Sequence, residues 1–399
     1  MTNQVLEECV EYSRANPAIA QKYDEALQGL AANTRSLFNY AQPVLIEGGY
    51  YQGIWLECGP LEGLVYGKYA PQIAIANHDI FFHFQREDGY LPCYIWPQQL
   101  GTGQIQMVVP IAATAWEVAQ QTNNEGFLNH AYSACGRWDD WLVRYRNTRG
   151  TGLCEMFCEY DTGHDNSPRC RGLPHDCPGQ DARICPDVGK LPYLAPDLSA
   201  SVYGGRIALA AMATALGKSD EADVWQERAE TIRKAILHYC FDPEDECFYD
   251  VDRDGRFVRI RGDLLTRVLG EHVVDQPLFD RIYTRHIRNA NAFWTPYPLP
   301  SIAADDPQFV RELPENSWGG ASQALTALRA PRWFEHYGKH DDLCHLMRQW
   351  VDALLRADGF MQQMNPWTGT FSTSQGYSPA MCVFIDFVER LQPTGSEAH

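Results

Sequence analysis

An all-α fold, an (α/α)6 barrel built from helical hairpins, is the architecture this sequence predicts, and three observations carry it. Apolar residues recur at three- and four-residue spacing along most of the chain. Short polar joints such as Thr122-Asn-Asn-Glu125, Gly217-Lys-Ser-Asp220 and Gly338-Lys-His-Asp341 interrupt the periodic stretches, and joints this short force neighbouring helices to run antiparallel. Longer segments rich in Gly, Pro and aromatic residues alternate with the hairpins, at 43–59, 88–104, 147–196, 289–316 and 358–376. Hairpins alternating with long loops describe a ring of about six units, with short turns on one face and long loops on the other. No composition break marks a linker, so residues 1–399 read as one domain although the length exceeds that of a usual single core.

Taken in order, the first helix is expected over 3–33. Pro60, before Leu-Glu-Gly-Leu, opens the next over 60–86, with a second start signal at Pro71. Helices over 105–121 and 125–146 form a hairpin. Asp197, before Leu-Ser-Ala-Ser, begins 197–216, which pairs with 219–240. Residues 242–257 break the pattern and read as a small β-hairpin turning at Asp254-Gly255. The remaining periodic stretches are 274–288, 317–337, 339–357 and 377–391.

Composition excludes several partners. The formal charge of −18 would be repelled by nucleic acid and by an anionic membrane. No run approaches the roughly 18 apolar residues of a membrane span. The start, Met1-Thr-Asn-Gln-Val-Leu-Glu-Glu8, lacks the basic and apolar regions of a signal peptide, so a cytoplasmic location is expected. The 13 cysteines, odd in number and scattered, agree with reduced thiols. One cluster, Cys154, Cys158, Cys170, Cys177 and Cys185 with His164 and His175, is open to plain thiols, a loop disulfide or a structural metal. Only Cys154-x3-Cys158 has zinc-like spacing, and neither metal nor organic cofactor is implied.

Chemistry concentrates in the long loops. Asp165, in Gly163-His-Asp-Asn-Ser-Pro-Arg169, sits in a polar turn where Asn166 can orient it and Arg169 can hold the loop. Gly48-Gly-Tyr-Tyr-Gln-Gly-Ile-Trp-Leu-Glu-Cys-Gly59 offers Tyr51 and Trp55 as a stacking platform and Glu57 as a hydroxyl-binding carboxylate; an aromatic plug for one end of the ring is the other reading. Residues 358–377 are polar, aromatic and almost uncharged. Their Gln362 and Gln363 can donate and accept hydrogen bonds but cannot take a proton from water. Glu315-Asn-Ser-Trp-Gly-Gly320 leaves room for a ligand beside Trp318.

Together these segments resemble the bacterial α-glycosidases of glycoside hydrolase family 63 and, more loosely, the trehalases of family 37. The similarity spans roughly residues 45 to 390, and the two central motifs in this order are its most specific part. Gly163-His-Asp-Asn-Ser-Pro-Arg169 is similar to the family's Gly-x-Asp-Asn-Ser-Pro-Arg, whose aspartate is the general acid. Phe360-Met-Gln-Gln-Met-Asn-Pro-Trp-Thr-Gly369 is similar to Phe-x-Glu-x-Tyr-Asn/Asp-Pro-x-Thr-Gly, whose glutamate is the general base and aligns with Gln362. Asn316-Ser-Trp-Gly-Gly-Ala321 resembles the Trp-Arg-Gly-Pro segment, with Gly319 and Ala321 replacing its arginine and proline. Pro196-Asp-Leu198 resembles an Asp-Leu-Asn helix start, and Gly376-Tyr-Ser-Pro-Ala380 resembles Phe-Ser-Trp-Thr-Ala.

The resemblance implies an inverting glycosidase for a short α-glucoside or α-mannoside, either a disaccharide or a sugar on a small solute. Asp165 would be its acid and position 362 the base site. Asn166, Arg169, Glu57 and Asp197 would orient the acid or bind hydroxyls; Tyr51, Trp55, Trp318, Trp367 and Tyr377 would contact the ring. An inverting pair needs a carboxylate to activate water, so the chain as written is expected to bind sugar and hydrolyse it poorly. Three accounts of the glutamine stand open: an engineered replacement for a native glutamate; another carboxylate, Glu57 or Glu315, acting as base; or a reaction without a base, as in a phosphorylase or a non-catalytic sugar binder. A further class, the sugar 2-epimerases and some lyases, uses α/α toroids with a histidine base, for which His78, His83, His164 and His175 are candidates. The sequence sets no oligomeric state.

Overall fold

The computed structural model describes residues 16–312 and 316–392. Its helices are α1 (Ala18–Ala32), α2 (Gly59–Tyr66), α3 (Pro71–His83), α4 (Ile111–Thr122), α5 (Glu125–Tyr145), α6 (Pro196–Ala215), α7 (Ser219–Tyr239), α8 (Leu264–Gly270), α9 (Gln276–Ile282), α10 (Ala324–His336), α11 (His340–Arg356) and α12 (Ser378–Arg390). The even-numbered helices touch one another in chain order, and α12 returns to α2, closing an inner ring of six. The odd-numbered helices lie outside it; α9, for example, stacks Phe279 on Tyr337 at the end of α10. This is the (α/α)6 barrel that the alternation of hairpins and loops predicts.

Inner and outer helices differ in composition for a physical reason. Outer α11 buries Leu343, Leu346, Met347, Trp350, Val351 and Leu354 and turns its other face to water. Inner α8 is buried along its whole length, and α12 is buried continuously from Ser378 to Val388. α8 is also only seven residues long, Leu264–Gly270, about two turns, too short for a three- and four-residue spacing to show in the sequence.

Other departures have equally local causes. The expected helix 60–86 is two, because the chain turns at 67–70 and Pro71, lacking an N–H, starts α3. Helix 317–337 begins only at Ala324. A Cβ on Gly319 would approach Val310, and one on Gly320 would approach Phe309, so this glycine pair lies flat against the 309–310 segment. The 274–288 helix is α9 followed by a wider π turn at Tyr283–Ile287. Of the expected first helix, residues 3–15 lie outside the described residues. The 242–257 region holds two short hairpins, Phe241–Asp242 with Cys247–Phe248 and Asp250–Val251 with Phe257–Val258. The second turns where expected, with Gly255 at φ 83°. Cys344 is disulfide-bonded, which departs from the expectation of reduced thiols throughout.

Every inner-to-outer connection is short and every outer-to-inner connection is long. All the long loops therefore gather at the N-terminal ends of the inner helices. Glu57 just before α2, Asp197 in the first turn of α6 and Asp263 at the start of α8 stand at these ends, where the helix dipole favours negative charge. No helix among the described residues is long and apolar enough to cross a membrane.

Candidate active site

The loop between α5 and α6 is clamped at its base before its tip reaches the barrel mouth. Glu155–Met156 pairs with Tyr193–Leu194, and Leu194 pairs in turn with Val251. At the tip, Gly163 has φ 62°, and a Cβ there would lie 1.7 Å from the Glu57 carboxylate. Only glycine permits that approach, which seats Glu57 against the turn bearing Asp165. Asn166, also left-handed at φ 58°, donates its backbone N–H to Glu159 Oε1 at 2.6 Å and its side-chain amide to the Asn316 carbonyl at 2.9 Å. The Trp318 N–H donates to the Asp165 carbonyl at 3.0 Å, so the turn is held from both sides.

Behind the turn lies a buried ionic array. Arg169 commits its whole guanidinium. Nε donates to Asp250 at 2.6 Å, Nη1 to Asp197 at 2.6 Å and to His164 Nδ1 at 2.8 Å, and Nη2 to Asp197 and Asp250 at 2.7 Å each. Because His164 Nδ1 accepts from a guanidinium, its proton is on Nε2, which donates to Asp263 at 3.1 Å. Asp263 also receives Arg267 and Arg329 at 2.8 Å each. Burial and the Arg267 charge push His164 down to about 3, so the ring is neutral. Burial alone would raise Asp197, but the Arg169 charge outweighs it and holds the carboxyl at about 2.

The opposite side is built from neutral groups. Ser322–Gln323, Gln363–Met364 and Phe371–Ser372 form a three-stranded antiparallel sheet, and Gln362 enters it buried, 4% exposed. Tyr51 Oη donates to Gln362 Oε1 at 3.1 Å. Gln362 Nε2 donates to Asn316 Oδ1 at 2.8 Å, and Asn316 Nδ2 donates to Asp165 Oδ2 at 2.5 Å. One carboxamide thus joins position 362 to position 165. The adjacent Gln363 points away, its Oε1 accepting from the Ser317 N–H and from Gln323.

The carboxyl groups outside this array are pushed upward by burial and by one another. Burial, helped by Glu159, pushes Asp165 up to about 7 against the opposing Asn316 hydrogen bond. Burial and Asp165 push Glu57 up to about 8, with Arg267 and Arg329 opposing. Burial and Glu57 hold Glu47 well above its usual range, although Tyr377 donates to it at 2.7 Å. Burial also pushes Glu62 up to about 8, against an opposing hydrogen bond from the Cys58 thiol.

The remaining candidates fall into distinct places. Tyr51 packs edge-on to Trp55, with ring centroids 5.5 Å apart, and Trp55 continues to Trp96 at 5.8 Å. Trp318 is buried, with His164 against its ring at 4.9 Å and Arg267 over it at 5.4 Å. Tyr377 is wholly buried and leaves no ring face open, whereas Trp367 is 40% exposed beside Phe309, on the turn that Asn365 caps. Arg169 and Asp197 lie in the buried array, bonded to each other. Glu315 lies outside the described residues.

Of the other histidines, His78 is buried with its nitrogens bonded to the Ala74 carbonyl and Thr114, while His83 and His175 are exposed. In the cysteine cluster, Cys158 and Cys177 stand 3.9 Å apart as free thiols beside Asp161. Arg146 already fills that space, bonding Asp161 through both terminal nitrogens at 2.5 and 3.1 Å. Glu47, Glu57 and Cys58 are also close enough to share an ion.

Sequence reasoning does not reach Glu47, Asp250, Asp263, Arg267 or Arg329, which carry no motif and meet only through the fold. Asn316 does carry a signal, since it opens the quoted Asn-Ser-Trp-Gly-Gly segment, yet its bridging role depends on φ 42° at that residue.

Known proteins share the family and the fold of this chain. Residues 66–378 match the family described as the mannosylglycerate hydrolase MGH1-like glycoside hydrolase domain. The mannosylglycerate hydrolase of Rubrobacter radiotolerans is 22% identical over 85% of this chain and 91% of its own. The structure of the GH63 mannosylglycerate hydrolase from Thermus thermophilus in complex with glucose superposes with a TM-score of 0.75 at 18% identity, covering 92% of this chain and 99% of that one. Neutral trehalase from Saccharomyces cerevisiae shares the fold at a TM-score of 0.68 and 12% identity, over 92% of this chain and 80% of its own.

Proposed function

The chain belongs to the mannosylglycerate hydrolase MGH1-like glycoside hydrolases, and on that footing we propose that its pocket takes a short α-glycoside, a sugar α-linked to a small solute of the glycerate kind. Asp165 is the general acid of an inverting hydrolysis, and position 362 is the general-base site, occupied by an amide. The observation that carries this reading is the Asn316 bridge. Two hydrogen bonds, of 2.5 and 2.8 Å, and one carboxamide link the two side chains, so a carboxyl acid and the base site flank one shared group, as the two residues of a glycosidase pair flank the scissile bond.

The electrostatics support the division of labour. Asp165, pushed up to about 7, holds a proton near neutrality, as a general acid must. Glu57, pushed up to about 8, is protonated there too and makes a poor substitute base. The epimerase reading loses its best histidine, because both nitrogens of His164 are engaged and the ring is held neutral. A phosphorylase would need several cations free to hold phosphate, whereas Arg267 and Arg329 are both bonded to Asp263, with Arg267 Nη2 left without a partner among the described residues.

An acid acting without its base forgoes a factor on the order of 10²–10⁴. Gln362→Glu is therefore expected to raise hydrolysis of an α-mannoside or α-glucoside of a small hydroxy acid by about that factor, with inverted product anomer seen by NMR. Full activity in the parent and none in the variant would sink this reading.

A further inference from the structure

We propose that Asn316 is a positioning residue that makes the protonation of Asp165 depend on the side chain at position 362. The inference rests on reading these two positions as the acid and base sites. It starts from the direction of the hydrogen-bond chain. Tyr51 donates to Gln362, Gln362 donates to Asn316, and Asn316 donates to Asp165, so every link points toward the carboxylate.

Carboxamides carry a donor and an acceptor, so this chain has a second polarity. With Asp165 protonated, its O–H can donate to Asn316 Oδ1 and both amides can turn about their last torsion, reversing each link as far as Tyr51. Glutamine at 362 is compatible with either direction. A glutamate there accepts only, so Asn316 would have to give it Nδ2 and present Oδ1 to Asp165. A carboxylate facing that carbonyl is disfavoured, whereas a protonated carboxyl can donate to it. A glutamate at 362 would thus hold the acid in its proton-bearing form through Asn316. The glutamine instead lets Asn316 rest an N–H on the Asp165 carboxylate.

Asn316 is mounted for this task. Its backbone is fixed by Asn166 on its carbonyl, while the following N–H groups of Ser317 and Trp318 are fixed by Gln363 and by the Asp165 carbonyl. Only the side-chain amide is left to turn. The other groups acting on Asp165 are Glu159 with His175 beside it, Glu57 with Arg267 and Arg329 behind it, Glu47, Tyr51 and Tyr160. None of them changes in the variants below, so their influence cancels.

The test is a double-mutant cycle read by NMR titration of the Asp165 carboxyl in protein carrying ¹³C-labelled aspartate, with D165N to assign the resonance. The four proteins are the parent, N316A, Q362E and N316A/Q362E. In the glutamine background N316A removes a donor to the carboxylate, and the midpoint should rise by about one pH unit. In the Q362E background N316A removes an acceptor of the acid's proton, and the midpoint should fall by about as much. A change of the same sign in both backgrounds, or none, overturns the proposal, because charge and burial alone give no reversal. If N316A fails to fold, N316L keeps the bulk, lacks both polar atoms and allows the same comparison. The titration needs no turnover. A Q362E protein that shows the reversal but hydrolyses nothing would refute the functional reading alone.

Discussion

The two sides of this pocket are held by different physics. On one side, Asp165 rides on a turn backed by Arg169, Asp197, Asp250, His164 and Asp263, all buried and joined by charged hydrogen bonds. On the other side, Gln362 is held by a phenol and a carboxamide, with the Thr373 hydroxyl at 3.5 Å. A buried charge array is stable only when complete, so it fixes geometry and tolerates no missing member. A neutral mesh of groups that donate or accept can admit either an amide or a carboxylate. The Asp165 side is therefore committed by its surroundings, and the Gln362 side is not.

The hardest way to break that contrast is Arg169→Met. It strands Asp197 and Asp250 in the interior and takes the donor from His164 Nδ1. Removing one partner of a buried network costs about 3–5 kcal/mol. Urea unfolding followed by circular dichroism should show a loss of that size or no folded protein. A loss below about 1 kcal/mol, the level of exposed ion pairs, would mean that the array does not hold the acid turn.

Acidity separates the array from the buried carboxyl groups outside it in a second way. Asp197 sits at about 2 when folded, below its usual 3.8, so its contribution is present above about pH 4 and lost as the pH falls toward 2. Glu62 sits at about 8, above its usual 4.5. Its folded form holds the proton more tightly, and stability is lost as the pH rises from about 4.5 through 8. Glu62→Gln should raise the thermal midpoint by a few degrees at pH 9 and leave it nearly unchanged at pH 5. Equal shifts at both values would show that the carboxyl is not carrying a buried proton.

The same contrast explains what the sequence could disclose. The barrel was legible because outer helices such as α11 show a wet and a dry face, and because short and long connections alternate. Inner α8 was not, since its seven residues make only about two turns and leave too little chain for a period to show. Asp165 and position 362 were legible through local motifs, Asp-Asn-Ser-Pro-Arg and Asn-Pro-Trp-Thr-Gly, whose turn chemistry is written in adjacent residues. The array was not. Asp250 comes from a hairpin expected for its turn alone, Asp263 from the start of the unread helix, and Arg329 from the middle of α10. Arg169 and Asp197 stand in local motifs that mark them for orientation or hydroxyl binding, while their partners are distant in sequence and declare themselves only once the chain is folded.

The smallest effect is also the sharpest probe of the neutral side. Tyr51→Phe removes one donor from Gln362 Oε1 and leaves the ring packed against Trp55 and Tyr377. Between neutral partners such a bond contributes about 0.5–1.5 kcal/mol, and the stability loss in the parent should be near that. In the Q362E background the same hydroxyl would donate to a charged acceptor, for which about 1.5–3 kcal/mol is typical. The cost of Tyr51→Phe should therefore grow by about 1 kcal/mol between the two backgrounds, measured by denaturant unfolding above pH 7. Equal costs would mean that a carboxylate introduced at 362 is held protonated by its acidic neighbours Glu47, Glu57 and Asp165. The base side would then be closed to charge after all, and the difference between the two halves of the pocket would be one of geometry alone.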